Sequence, residues 1–397
     1  MSHLQQLLRP DLRGGSPYGA PQLDVPVAVN TNESSHSVPA VVVQAIAQAV
    51  ERVAPGLNRY PDREFVALRD ALAGFLTATT GCDTTSDQVW AGNGSNEILQ
   101  HLVLAFGGPD RVALGFTPSY SMHPIISRSV GTTWVDGLRD AAAGRFDIDT
   151  ELAVAQVREH DPNVVFLCSP NNPTGSALAL ETVRAVYDAA PHAIIVVDEA
   201  YFEFARPGTL SAISLLPGRE RLVVTRTMSK AFAFAGVRLG YLAADPQLTQ
   251  LLRLVRLPYH LSAVTQAVAL VALEHAATML SMVEQIKASR DALVQGCADL
   301  GFSPVESDAN FVLVGGFVDE GESWHQLLDL GVLVRDVGIA HHLRITAGTW
   351  EETQAVLAAL SILAPSNGAG SDQAPSNGAR SGQARSGQAR EGSDAAQ

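Results

Sequence analysis

One of the chain's two lysines, Lys230, stands in the run Thr225-Arg226-Thr227-Met228-Ser229-Lys230-Ala231-Phe232-Ala233-Phe234-Ala235-Gly236-Val237-Arg238-Leu239-Gly240-Tyr241. Apolar surroundings lower an ammonium pKa and make the amine a nucleophile toward carbonyls. The other lysine sits in the polar helical run Glu284-Gln285-Ile286-Lys287 and reads as a surface charge. A carboxylate, Asp198, ends the apolar segment Ala193–Val197, with Tyr201 three residues on. Poorly hydrated, it calls for a cationic partner, although a strand-end Asp also serves as a helix cap. Ser169-Pro170-Asn171-Asn172-Pro173-Thr174-Gly175 follows the apolar segment Val164–Cys168. That composition makes a turn, and turns at the C-terminal ends of strands are where open α/β sheets bind ligands; a plain structural turn fits it equally. Gly94-Ser95-Asn96 opens a helical pattern, whose free N–H groups favour an anion.

These residues need a scaffold that brings strand ends to one edge. Short apolar segments at Arg111–Gly115, Thr132–Asp136, Val164–Cys168, Ala193–Asp198, Arg221–Thr225 and Leu239–Ala243 alternate with helical spacing at Asn96–Phe106, Ser119–Val130, Glu151–Glu159 and Leu180–Ala190. The alternation predicts an α/β fold with a mostly parallel central sheet. After Pro258 a long helical pattern, Ser262 to Asp299, leads to apolar segments Asn310–Val314, Val332–Arg335 and Leu343–Thr346 and a last helix, Trp350–Leu363, a smaller α+β domain. The reading divides the chain into an arm (1–30), a helical segment allied to the smaller domain (31–55, with a helix over Val38–Ala54), a large domain (56–260), the smaller domain (261–364) and a tail (365–397). The tail repeats APSNGA and RSGQA without a Val, Ile, Leu or aromatic residue, and is expected to be disordered.

Composition narrows the function classes. Lys and Arg total 27 against 41 Asp and Glu, a formal net charge of −14, and no basic stripe is present, which argues against nucleic-acid binding. At 46% hydrophobic and 17% charged, the chain can bury a sizeable core. Three cysteines without a CxxC pair suggest a reducing compartment. The histidines, His123, His260 and the pair His341-His342 among them, lack metal-ligand spacing and read as packing or substrate-adjacent groups. No segment approaches the roughly 20 apolar residues of a spanning helix, and no apolar leader is visible, so a cytoplasmic protein away from membranes is expected.

In this order and at these separations, SPNNPTG, VVDEAY and TMSKAFAFAGVRLGY resemble the fold-type I pyridoxal-phosphate aminotransferases. More narrowly, LRPDLRGGSPYGAPQLDVPVAVNTNE, NRYPD, GNGSNEI, TPSYSMHPI, LVRLPYHLS, SDANFVL, VLVRDVGI and LRITAGT are similar to the actinobacterial histidinol-phosphate aminotransferase family. The similarity runs from about residue 8 to 363.

The resemblance implies that Lys230 bonds the cofactor aldehyde and that Asp198 pairs with its pyridine nitrogen. It further implies that Tyr201 and Asn172 hydrogen-bond the phenolic oxygen and that Tyr120 stacks on the ring. Gly94, Ser95, Asn96, Thr227, Ser229 and Arg238 would hold the phosphate, with Tyr60 reaching it from the neighbouring subunit of a homodimer whose active site is shared. Arg344 and Arg335 would grip substrate anions and Tyr18 would cover the substrate. The family continues its arm as NENP, whereas this chain reads Asn32-Glu33-Ser34-Ser35-His36, and losing the proline is expected to loosen the arm.

The implied reaction passes an amino group from L-glutamate to imidazole acetol phosphate, giving 2-oxoglutarate and L-histidinol phosphate in histidine biosynthesis, with Lys230 as general acid–base. Three alternatives stand beside it: an aromatic amino acid aminotransferase, a pyridoxal-phosphate decarboxylase of a phosphorylated amino acid, and a cofactor-sensing transcription factor. The last needs a DNA-binding module, for which the roughly 30 residues before the body are too few.

Overall fold

The structure is a computed structural model and describes residues 3–14, 17–140 and 146–364. The low-complexity stretch 365–397, expected to be disordered, lies outside the described residues. In chain order the helices are α1 (His3–Leu7), α2 (Ala40–Val53), α3 (Val66–Thr80), α4 (Ser95–Phe106), α5 (Met122–Ser129), α6 (Thr150–His160), α7 (Leu180–Ala189), α8 (Pro246–Leu252), α9 (Ala263–Glu274), α10 (Ala276–Asp299), α11 (Glu320–Asp329) and α12 (Trp350–Leu363). The strands are β1 (Val27–Ala28), β2 (Val89–Gly92), β3 (Val112–Thr117), β4 (Thr133–Leu138), β5 (Val164–Cys168), β6 (Ile194–Asp198), β7 (Leu222–Thr227), β8 (Gly240–Ala244), β9 (Ser303–Pro304), β10 (Phe311–Gly315), β11 (Val332–Leu333), β12 (Arg335–Asp336) and β13 (His342–Thr346).

Seven strands form the central sheet in the order β2-β8-β7-β6-β5-β3-β4. From β7 to β4 all neighbours pair in parallel, while β8 runs antiparallel to both β7 and β2. Strands β5, β6 and β7 are buried almost throughout, as the continuous Val/Ile/Leu runs require of a parallel sheet covered on both faces. Asp198, Cys168 and Thr227 end their strands, and Gly240 begins the reversed β8 opposite Thr227 and Gly92. The parallel arrangement therefore delivers the chemical residues to one edge.

Two differences from the sequence reading are physical. Strand β2 was not among the expected segments; four residues, VWAG, are too few for periodicity to register. The single helical pattern Ser262–Asp299 is two helices, α9 and α10, bent by 74° at His275. No single helix among the described residues is long and apolar enough to cross a membrane.

Helix α2 lies against α9, and Val42 and Ala49 share the larger core with Val268, Val271 and α10 side chains as far as Ile286. From Leu293 onward α10 joins a second core with Val312, Val314, Leu343, Ile345, Val356 and Leu360. The second core is roofed by an antiparallel sheet, β12-β13-β10-β9. Val332–Arg335, read as one extended segment, is divided: β11 pairs with β1 of the arm, and β12 pairs with β13. Thr349 caps α12 reciprocally with Glu352, which starts that helix where the sequence suggests.

Candidate active site

Lys230 follows β7 by three residues, and its ammonium Nζ donates to the Thr31 carbonyl at 3.1 Å. Burial, with the Arg344 guanidinium adding to it, pulls its pKa down to about 8. The amine faces the Tyr201 ring at 5.9 Å.

Asp198 is 1% exposed, yet both its oxygens are satisfied. Thr225 Oγ1 donates to Oδ1 at 3.0 Å and the His123 imidazole Nε2 bonds Oδ2 at 3.0 Å. His123 lies flat on Phe166, with centroids 4.6 Å apart, and edge-on to Tyr120. The sequence reading took His123 for a packing or substrate-adjacent group and gave it no partner. The available signal was its position three residues after Tyr120, which sets both on one face of the turn into α5.

At the sheet edge Gly94 caps α4 with φ +81°, a backbone that L side chains rarely adopt. A Cβ there would fall 2.6 Å from Arg238 Nη2, so glycine is what lets the guanidinium lie against the helix N-terminus. Gly240 is tighter still: a Cβ would sit 2.2 Å from the backbone N of Ser95. Thr227 Oγ1 and Ser229 Oγ are 3.0 Å apart on the neighbouring strand end. Ser95, Asn96, Thr227, Ser229 and Arg238 thus surround an anion-sized cup, with Tyr120 OH donating to Asn96 Oδ1 at 3.2 Å.

A second pair of cations comes from the smaller sheet. Arg335 and Arg344 are directly opposed in the β12–β13 register. Arg344, 7% exposed, donates through Nη1 to Asn172 Oδ1 at 2.6 Å and through Nη2 to the Asn30 carbonyl at 2.7 Å, while its buried Nε has no partner. Arg335 donates to the Gly19 carbonyl at 3.1 Å. Two like charges directly across a ladder repel, a cost that an anion between them removes.

The arm closes the site. Val29 N donates to Leu333 O, Thr346 N to Val29 O and Asn32 N to Thr346 Oγ1. Asn32 Nδ2 donates to Tyr201 Oη at 3.1 Å, and burial pushes the Tyr201 hydroxyl up to about 12. The arm is held by these bonds even without the proline, whose loss was expected to loosen it. These bonds lie upstream of Ser34, and Ser34 Oγ itself turns the chain by accepting from His36 N at 3.2 Å. The contacts of Asn30, Thr31 and Asn32 were not foreseen, because they join residues some 170 to 314 positions apart.

Tyr18, Tyr120, Asn172, Asp198, Tyr201 and Lys230 line one cavity of about 400 Å3 with the two arginine groups and the anion cup. Tyr60 is not brought there: it is 80% exposed and stacks on Tyr259 at 4.4 Å. Among the described residues no group of three or more His, Cys, Asp or Glu could hold a metal ion.

The family model for aminotransferase class I and II matches residues 23–360. The chain is 57% identical to the histidinol-phosphate aminotransferase of Paenarthrobacter aurescens (strain TC1) over 358 residues, 90% of this chain and 94% of that one. It is likewise 57% identical to that of Thermobifida fusca (strain YX) over 353 residues, covering 89% and 94%. Among solved structures, the histidinol-phosphate aminotransferase from Sinorhizobium meliloti in complex with pyridoxal-5'-phosphate superposes with a TM-score of 0.77 at 27% identity, over 85% of this chain and 91% of that one. A buried amine, an anion cup and paired arginines in one cavity agree with this kinship: the chain belongs to the class I and II aminotransferases and, among them, to the histidinol-phosphate aminotransferase family.

Proposed function

We propose that the protein transfers the amino group of L-glutamate to imidazole acetol phosphate, forming 2-oxoglutarate and L-histidinol phosphate, in the biosynthesis of histidine. The observation that carries the substrate is the opposed pair Arg335 and Arg344, two guanidiniums in register that suit a phosphate better than a lone carboxylate. An aromatic 2-oxo acid offers only the carboxylate.

The cavity fits pyridoxal phosphate: the space beside Gly94 that a Cβ would fill is taken by Arg238, and Lys230 is desolvated beside it. Lys230 would hold the aldehyde carbon, Asp198 the pyridine nitrogen, Tyr201 and Asn172 the phenolic oxygen, and Tyr120 the ring face. Gly94, Ser95, Asn96, Thr227, Ser229 and Arg238 would hold the phosphate. When bound, the cofactor supplies an electron sink and carries the amino group between the two substrates. Lys230 Nζ, its pKa lowered to about 8, takes the proton from the substrate Cα and gives it back, a role that needs the free amine. Asp198, fixed by Thr225 and His123, would hold the ring nitrogen of the bound cofactor. Arg335 and Arg344 orient the substrate anion, and Tyr18 with the arm keeps water out.

The enzyme works as a homodimer in this reading. Tyr60, exposed beside Tyr259 and the outward-facing Leu254 and Leu257, serves the phosphate cup of a second copy. The domain boundary falls inside α10, between Ile286 and Leu293, and α2 belongs with the large body. Its place is the cytoplasm, which three free thiols suit.

Single-turnover loss of the cofactor band with L-histidinol phosphate and with L-phenylalanine tests the substrate. Histidinol phosphate is expected to react faster; faster reaction of phenylalanine would establish the aromatic aminotransferase instead.

A further inference from the structure

The proposed substrate has three handles: a phosphate, an amine and an imidazole ring. The cavity's three arginines, Arg238, Arg335 and Arg344, answer the first and the cofactor's own phosphate, and Lys230 lies where the amine reacts. The ring N–H needs an acceptor, and most polar groups of the wall are already committed. Both Asp198 oxygens accept, from Thr225 and His123. Asn172 Oδ1 accepts from Arg344, and Asn96 Oδ1 from Tyr120. Asn32 spends its amide on Tyr201 and Thr346.

One carboxylate in the lining is left. Glu33 follows the three arm residues that bind Arg344, Lys230 and Tyr201 and lines the cavity, and among the described residues its carboxylate has no hydrogen bond or ion pair. It is solvent-exposed, at the open side of the site.

Resting on the substrate reading above, we propose that Glu33 is a specificity-determining residue that accepts a hydrogen bond from the imidazole N–H of the phosphorylated substrate. An imidazole donates one such bond when neutral and two when protonated, whereas a phenyl ring donates none. Where the bound side chain covers Glu33, a phenyl ring displaces water from the carboxylate and returns no donor, so one group both rewards the imidazole and disfavours its aromatic competitor. Glu33 also faces the Lys230 ammonium electrostatically and raises its proton affinity against the larger effect of burial. A role exercised through Lys230 alone would alter every amino donor alike, which separates the two.

The experiment is single-turnover kinetics of the holoenzyme and of its Glu33→Gln and Glu33→Leu variants with L-histidinol phosphate, L-glutamate and L-phenylalanine. Glu33→Leu is expected to lower kcat/KM for histidinol phosphate by roughly 10- to 100-fold, with Glu33→Gln in between, while the glutamate half-reaction changes by less than about 3-fold. Phenylalanine is expected to gain in Glu33→Leu. Wild-type preference for histidinol phosphate that survives intact in Glu33→Leu overturns the role of Glu33 and leaves the substrate reading standing. An equal loss with histidinol phosphate and glutamate overturns it as well, assigning Glu33 to Lys230. A wild-type enzyme without that preference overturns both.

Discussion

Replacing Gly240 by alanine probes the junction on which the anion cup depends. The added Cβ would stand 2.2 Å from Ser95 N, 2.4 Å from Gly94 C and 2.7 Å from Ser95 Cα, all backbone atoms that no rotamer change can move. Ordinary contact begins near ~3.5 Å, so β8 and the N-terminus of α4 must part by roughly 1 Å. Overpacking of this kind costs about 1–3 kcal/mol. The displacement also withdraws the helix N–H groups from Thr227, Ser229 and Arg238. Losing one charge-assisted bond to a phosphate, at about 1.5–3 kcal/mol, weakens cofactor binding by roughly 10- to 150-fold. Fluorescence titration of the apoprotein with pyridoxal phosphate measures the affinity, and urea unfolding the stability. Gly74 in α3 is the control: nothing lies within 4 Å of its Cβ position, so alanine there is expected to stabilise by about 0.5–1 kcal/mol with unchanged cofactor affinity. Should Gly240→Ala bind cofactor within about 3-fold of wild type and unfold at the same urea concentration, the close approach is not what shapes the cup.

Three further outcomes follow from the buried groups. With its pKa at about 8, Lys230 in the apoprotein should be reductively alkylated by a small aldehyde at a rate that rises with pH and levels off above about pH 9; a rate, followed by mass spectrometry, that keeps climbing to about pH 10 would contradict the shift. The unfolded chain, with Lys at its ordinary value of 10.5, binds more protons than the folded one between pH 8 and 10.5, so apoprotein stability should rise with pH across that window and be lowest below it. His123→Ala leaves Asp198 Oδ2 buried without its partner and should cost about 1–3 kcal/mol in urea unfolding, a loss that a freely hydrated Asp198 would not show.

Much of the site was legible before the fold. Lys230 in its apolar run, Asp198 at a strand end and the turn after Cys168 are local patterns, and parallel pairing alone sends strand ends to one edge. Six of the seven central strands were visible as short apolar segments, β5, β6 and β7 most plainly because continuous Val/Ile/Leu runs mark strands buried on both faces; β2 was too short to show.

The sequence by itself determined which chemistry is present, since amine, carboxylate and turn are set by residue type and near neighbours. Tertiary structure alone decided how these groups are held. It opposed Arg335 to Arg344 across a ladder, set His123 on Asp198, bound Asn32 to Tyr201 and left Tyr60 outside on Tyr259. Each of these depends on side chains brought together by folding or on pairing between strands. Such contacts follow from sheet register and core packing, long-range terms that no local periodicity encodes.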